Sequence, residues 1–208
     1  VLKFRTKNCA LITNGVDPAH WNNLIINHRY LPKVIVECLR QQKKIIGYFG
    51  ALATWFDYEL VIKVAKHFTD CIFLLLGWDY DGSLKKSKIE LLDNVIVLGP
   101  IEYKILPYYA KTFSVSILPF LLNDITESTS PVKLFEYMML DKPILTTALP
   151  ECKKYKSVNI AYSAEEFINK LQYLLTNGLN QEQKAVMRAE AEQNTWVNKA
   201  KLLKELIH

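Results

Sequence analysis

Short apolar runs alternate with longer amphipathic stretches along the 208 residues. Seven of the apolar runs predict strands, at residues 10–13, 45–49, 72–76, 95–98, 115–118, 144–147 and 159–162. They are apolar almost throughout instead of alternating, as parallel strands covered on both faces are. Helix-start signals follow several of them. Asp17-Pro18 offers a cap and a first-turn proline. Thr54 with Asp57, and Ser163 with Glu166, have capping-box spacing, and Asn177-Gly178 supplies a stop. Two further helical segments cover 181–193 and 195–207. Strand followed by helix, repeated, predicts an α/β fold: a doubly wound, Rossmann-like, mainly parallel sheet.

Composition supports a real core, with 50% hydrophobic and 23% charged residues. No apolar run approaches the roughly 20 residues that span a bilayer. The richest, 72–77 and 115–122, read as buried strands. The first residues lack the pattern of a signal peptide. The four cysteines are dispersed with no CxxC pair, which favours reduced thiols and a cytoplasmic location, including the inner face of the membrane. The net charge of +5 is spread thinly; it admits an anionic ligand or peripheral membrane contact, and no nucleic-acid partner is expected. The organisation expected is an edge or linker over 1–40, the end of another domain, then an α/β unit over 41–194 and a closing helix over 195–208.

In open α/β sheets ligands bind beyond the carboxyl ends of the strands, which directs attention to the following loops. After the first strand of the unit comes GYFGALATWFD, where Gly47 and Gly50 do not make a GxGxxG, so a dinucleotide fingerprint is absent. Gly50 would let backbone approach a ligand, or simply make a tight turn. Trp55 and Phe56 read as packing residues, Asp57 as a cap, and Asp79 with Asp81 as a solvated turn without the glutamate of a calcium loop. Pro107 reads as interrupting a short helix. His20, His28, His67 and His208 lack zinc-site spacing, and neither GxSxG nor GxxxxGK[ST] occurs, so no metal is expected.

One segment stands apart, NDITESTSPVKLFEY at 123–137. Ser130 reads as an N-cap and Pro131 as the first helical residue. The unpaired N–H groups that follow suit a phosphate, and Lys133 would complement such an anion where it would otherwise oppose the dipole. Glu136 lies about one turn on, on the same side as Lys133. The alternative is an ordinary capped helix with a Lys133–Glu136 surface pair.

The run SPVKLFEYMMLDKPILTTALPE resembles the donor-binding segment of GT-B glycosyltransferases, in the family 4 group that builds bacterial surface polysaccharides. ITNGVD resembles the end of that group's amino-terminal domain, GYFGALATWFDYELV the first strand and helix of its carboxyl-terminal domain, NVIVLGPIEYKILPYY the nucleobase-side loop, and NTWVNKAKLL the closing helix. The resemblance implies that this domain binds a nucleoside-diphosphate sugar as co-substrate, with no other cofactor. It implies that Glu136 holds the ribose hydroxyls, that Ser128, Thr129, Ser130, Pro131, Lys133 and Leu134 meet the diphosphate and sugar, that Gly50 and Ala51 line the phosphates, and that Tyr103 faces the base. Lys133 and Glu136 are the residues expected to carry catalysis.

Two departures from the family pattern stand out. Ser128 occupies the place of a second glutamate, with Glu127 one step off register, and WFD occupies the place of a basic clamp after the first strand. The family further implies retention at the anomeric carbon and a saccharide or lipid-linked acceptor held by an amino-terminal domain missing from this chain, so that the chain alone would be inactive. Two alternatives remain at this point: a sugar-nucleotide 2-epimerase, and a non-catalytic nucleotide-sugar-binding subunit that needs a partner chain.

Overall fold

A computed structural model describes residues 10–22 and 25–207. Six strands, β1 (Ile45–Phe49), β2 (Ile72–Leu76), β3 (Val95–Leu98), β4 (Val115–Leu118), β5 (Ile144–Thr147) and β6 (Val158–Ala161), form one sheet in the order β3-β2-β1-β4-β5-β6. Every pairing is parallel. All five residues of β1 and all four of β4 are buried, because helices cover both faces.

The helices are α1 (Pro18–Trp21), α2 (Lys33–Arg40), α3 (Tyr58–His67), α4 (Ser83–Ser87), α5 (Leu106–Ala110), α6 (Asp124–Glu127), α7 (Val132–Met138), α8 (Ala164–Asn177), α9 (Gln181–Gln193) and α10 (Trp196–Ile207). α3 packs on α8, which spans β4 to β6, whereas α5 contacts β1 and α7 contacts α9. The caps are chemical. Asp57 accepts from the Leu60 N–H, Ser163 from the Glu166 N–H, and Gly178 ends α8 at a φ of 63°. At Gly47 a β-carbon would sit 2.2 Å from the Phe113 ring, so the missing side chain lets an aromatic lie directly on the central strand.

Four sequence expectations need correction. Residues 10–13 form no strand: Leu11 is exposed, and the segment reaches regular pairing only at Val16, in an isolated parallel bridge to Thr195. Thr54 is not the cap of α3; its N–H donates to the Asp81 carboxylate while Asp57 does the capping. Pro107 lies in the first turn of α5, where its missing N–H costs nothing, and so starts a helix instead of interrupting one. The Lys133–Glu136 surface pair is excluded, since Glu136 is 5% exposed.

Residues 10–22 pack on the same unit. Trp21 is buried and stacks on Phe49 with ring centroids 5.6 Å apart. The three described cysteines, Cys38, Cys71 and Cys152, are free and buried; Cys9 lies outside the described residues.

Candidate functional site

Strand order reverses between β1 and β4, so the loops leaving their carboxyl ends diverge and open a crevice. A cleft of about 540 Å³ occupies this place, walled by Gly50 and Trp55 after β1 and by Phe120 and the 129–133 segment after β4.

Lys133 is the second residue of α7 and points its ammonium back toward β1. Nζ donates to the Tyr48 hydroxyl at 3.1 Å, and that hydroxyl donates to the Ala51 carbonyl at 2.8 Å. The same nitrogen lies 4.7 Å from the Tyr48 ring centroid and 5.2 Å from that of Phe120, within cation–π range. Among the described residues no carboxylate forms an ion pair with it. Burial against two rings lowers its pKa to about 8, and the charge of Glu136 opposes this only in part. The ammonium is thus held at the cleft with little of its charge answered by protein.

Glu136, one turn further along α7, is nearly fully buried and accepts from the Tyr103 hydroxyl at 2.9 Å. Burial raises its carboxyl pKa; the Tyr103 hydrogen bond and Lys133 pull the other way. Tyr103 is itself fixed from α1. Trp21 Nε1 donates to its hydroxyl at 3.3 Å, and the His20 ring stacks on it at 4.2 Å with 13° between planes. His20 Nε2 also lies 2.9 Å from the Tyr103 carbonyl. The Tyr103 hydroxyl is pushed up to about 12, by burial first and then by the Glu136 charge, so it stays a donor.

The helix start differs by one residue from the sequence reading. Pro131 is the N-cap, Val132 is N1, and no side chain caps α7. Ser130 is engaged elsewhere: its Oγ accepts from the Asn14 N–H at 3.3 Å and its carbonyl accepts from Asn14 Nδ2 at 2.6 Å. The Leu134 N–H turns back to the Pro131 carbonyl.

Of the residues expected at the site, Gly50, Tyr103, Thr129, Ser130, Pro131, Lys133 and Glu136 border the one cleft. Ala51, Ser128 and Leu134 do not. Ala51 turns its carbonyl to Tyr48, Ser128 is an exposed residue ending α6, and the Leu134 side chain is in the core. Sequence reasoning passed over Asn14, His20, Trp21, Tyr48 and Phe120, whose parts come from contacts across the fold with no local signature. Across Phe120 lies a second cleft of about 510 Å³, between the starts of α3 and α8; its one buried-side acid, Asp57, is occupied in capping. Among the described residues no three His, Cys, Asp or Glu side chains gather as a metal site.

The fold and cleft have relatives. TuaH of Bacillus subtilis (strain 168), named as a teichuronic acid biosynthesis glycosyltransferase, is 29% identical over 111 residues, which is 53% of this chain and 28% of TuaH. The crystal structure of Anabaena HepE in complex with UDP and glucose superposes with a TM-score of 0.67 at 16% identity, covering 94% of this chain and 55% of that one. A glycosyltransferase from Rickettsia africae ESF-5 gives a TM-score of 0.71 at 13% identity, covering 95% and 57% respectively. The chain therefore spans little more than half the length of these solved structures and less of TuaH. The family model of glycosyl transferases group 1 matches residues 43–177, well over half of the chain, and the protein belongs to that family.

Proposed function

We propose that this chain is the donor-binding domain of a glycosyltransferase, and that it binds a nucleoside-diphosphate sugar in the cleft between the loops after β1 and β4. The observation that carries the reading is the pairing, on one turn of α7, of an ammonium without an ion-pair partner among the described residues and a buried, oriented carboxylate, both at the crossover of the sheet. The solved structure of HepE with UDP and glucose supports it.

In this reading the diphosphate sits over Gly50 and the start of α7, against the Lys133 ammonium. Glu136, which Tyr103 holds through Oε1, offers its other oxygen to the ribose hydroxyls. The exposed Tyr103 ring borders the base. Transfer breaks the bond between the sugar C1 and the diphosphate oxygen and forms a bond from C1 to an acceptor hydroxyl, which releases its proton. The charge that develops on the leaving diphosphate is what Lys133 and the α7 N–H groups would stabilise, in a partly buried site where such contacts act strongly. This requires no metal. The reaction would proceed with retention, toward a saccharide or lipid-linked acceptor held by a further domain.

Calorimetric titration with UDP, GDP and dTDP tests the reading. At least one should bind, and Glu136→Ala should weaken it by tenfold or more. No heat with any of the three, from a chain whose circular dichroism and melting are those of a folded protein, would overturn it.

A further inference from the structure

Trp55 forms the outer wall of the cleft and does not end the aromatic surface there. Its ring centroid lies 5.7 Å from that of Tyr80, and Tyr80 lies 5.8 Å from Trp78. Tyr80 and Trp78 are 59% and 57% exposed. The planes are inclined at 46° and 71°, so the three rings make a stepped wall leading out of the cleft.

The loop that carries them is tied down. The Leu52 N–H donates to the Trp78 carbonyl at 3.0 Å and the Tyr80 N–H to the Leu52 carbonyl at 2.9 Å. Asp79 accepts from the Leu84 and Lys85 N–H groups, and Asp81 from those of Thr54 and Ser83. The hydrogen bonds from Ser83 and Thr54 hold the Asp81 carboxyl down to about 2. The acids that look like a metal pair in the sequence thus serve to fix the backbone. Two exposed rings that continue from a half-buried one beside a cleft, on a backbone tied in place, are the mark of a binding surface.

We propose that Trp55, Tyr80 and Trp78 form a saccharide-binding wall that seats, next to the donor cleft, the sugar units of an acceptor whose remainder the further domain holds. A pyranose presents a flat face of C–H groups that can lie on an aromatic ring, while its hydroxyls stay at the ring's rim in reach of water and of the free lone pairs on Asp79 and Asp81. A carboxylate accepts up to about four hydrogen bonds, so each has capacity left. The other occupant with a liking for Trp and Tyr is a membrane interface. Exposed Lys85, Lys86 and Lys88, on and just after α4, offset Asp79 and Asp81, so charge does not choose between the two. Trp55 opens into the cleft, and that continuity favours the sugar. The proposal rests on the donor-binding reading only for the word acceptor; the wall itself is independent of it.

The test is saturation-transfer NMR and tryptophan-fluorescence titration of the 208-residue chain with maltotetraose, cellotetraose and chitotetraose, with and without UDP. At least one oligosaccharide should bind with millimolar affinity. Trp78→Ala and Tyr80→Ala should each weaken it by fivefold or more with the UDP affinity unchanged, and Trp78→Phe should retain most of it. Binding of an oligosaccharide while none of UDP, GDP and dTDP binds would sink the donor reading and leave the wall standing. UDP binding with no oligosaccharide response would overturn the wall alone. So would an oligosaccharide affinity that Trp78→Ala leaves intact, or cosedimentation with phosphatidylglycerol vesicles that depends on Trp78 while no oligosaccharide binds.

Discussion

The Lys133 ammonium fills the space that a β-carbon on Gly50 would need: such a carbon would lie 2.3 Å from Nζ and 2.7 Å from Cε. Gly50 also has a φ of 129°, in the region that side chains avoid. The glycine after β1 and the lysine of α7 are therefore one device. Gly50→Ala should displace the ammonium and strain the turn together, with UDP affinity reduced at least tenfold and stability lowered by about 1–3 kcal/mol. Calorimetry and urea unfolding read the two effects separately. Unchanged UDP affinity would show that the ammonium's position does not matter to binding.

Lys133 should carry a stability cost that its function explains. Its pKa falls from 10.5 to about 8 on folding. Between these values the unfolded chain binds more protons than the folded one, so this residue makes stability rise with pH there; below about 8 the full cost of burying the ammonium is present. The difference corresponds to at most ~3 kcal/mol. Lys133 is only partly buried at the cleft edge, and water reduces the cost to ~1–2 kcal/mol. Lys133→Met should thus be more stable than the parent at pH 7, lose that advantage toward pH 10.5, and bind UDP poorly. Thermal melts at pH 7 and pH 10 give the comparison, and a variant less stable at pH 7 would contradict the account.

For the parent chain, UDP affinity should fall as pH rises through about 8, because the diphosphate is attracted to the protonated amine. Lys133→Met should abolish this dependence. Titrations at pH 7 and 9.5 suffice, and equal affinities in the parent would remove Lys133 from the phosphate site.

Tyr103 acts through Glu136. Its hydrogen bond to a charged, buried group is worth about 1.5–3 kcal/mol, so Tyr103→Phe should weaken UDP by about tenfold. With Glu136 already replaced by alanine, the same change should do little. A double-mutant cycle decides; additive losses would mean that Tyr103 meets the ligand on its own account.

Ser116 gives a stability expectation away from the site. Among the described residues its buried hydroxyl on β4 has no hydrogen-bond partner. Ser116→Ala should raise stability by about 1 kcal/mol, seen as an upward shift in Tm. A drop in Tm would point to an unseen partner for the hydroxyl.

The sheet was legible from sequence because its strands are buried on both faces, so hydrophobicity alone marks them; five of the six match to the residue and β6 is one residue early. The failed strand at 10–13 carried the same apolar signal, but the chain is anchored only just beyond it, by Asn14 to Ser130 and by Val16 to Thr195, where no local pattern points. The same distance explains the misplaced cap. Ser130 has the right chemistry for capping α7, and Asn14, 116 residues away, takes it. Lys133 and Glu136 were visible by spacing on one helix. Their setting was not: Tyr48 and Phe120 around the one, Tyr103, Trp21 and His20 around the other, all arrive from other elements.

The Val16–Thr195 bridge has a mechanical consequence. Val16 bonds on both sides, its N–H to the Asn194 carbonyl and its carbonyl to the Trp196 N–H. The two segments run parallel, so tension applied through the first described residues and through α10 pulls them past each other and loads both bonds together in shear. Asn14, two residues upstream, grips Ser130, and the same pull would be passed to the segment that leads into Lys133. Stretched from its ends, the domain should give way first at the clip and the cleft, before the sheet. An optical-tweezers trace should then show an early, UDP-sensitive event, and a single rupture indifferent to UDP would mean that the clip bears no load.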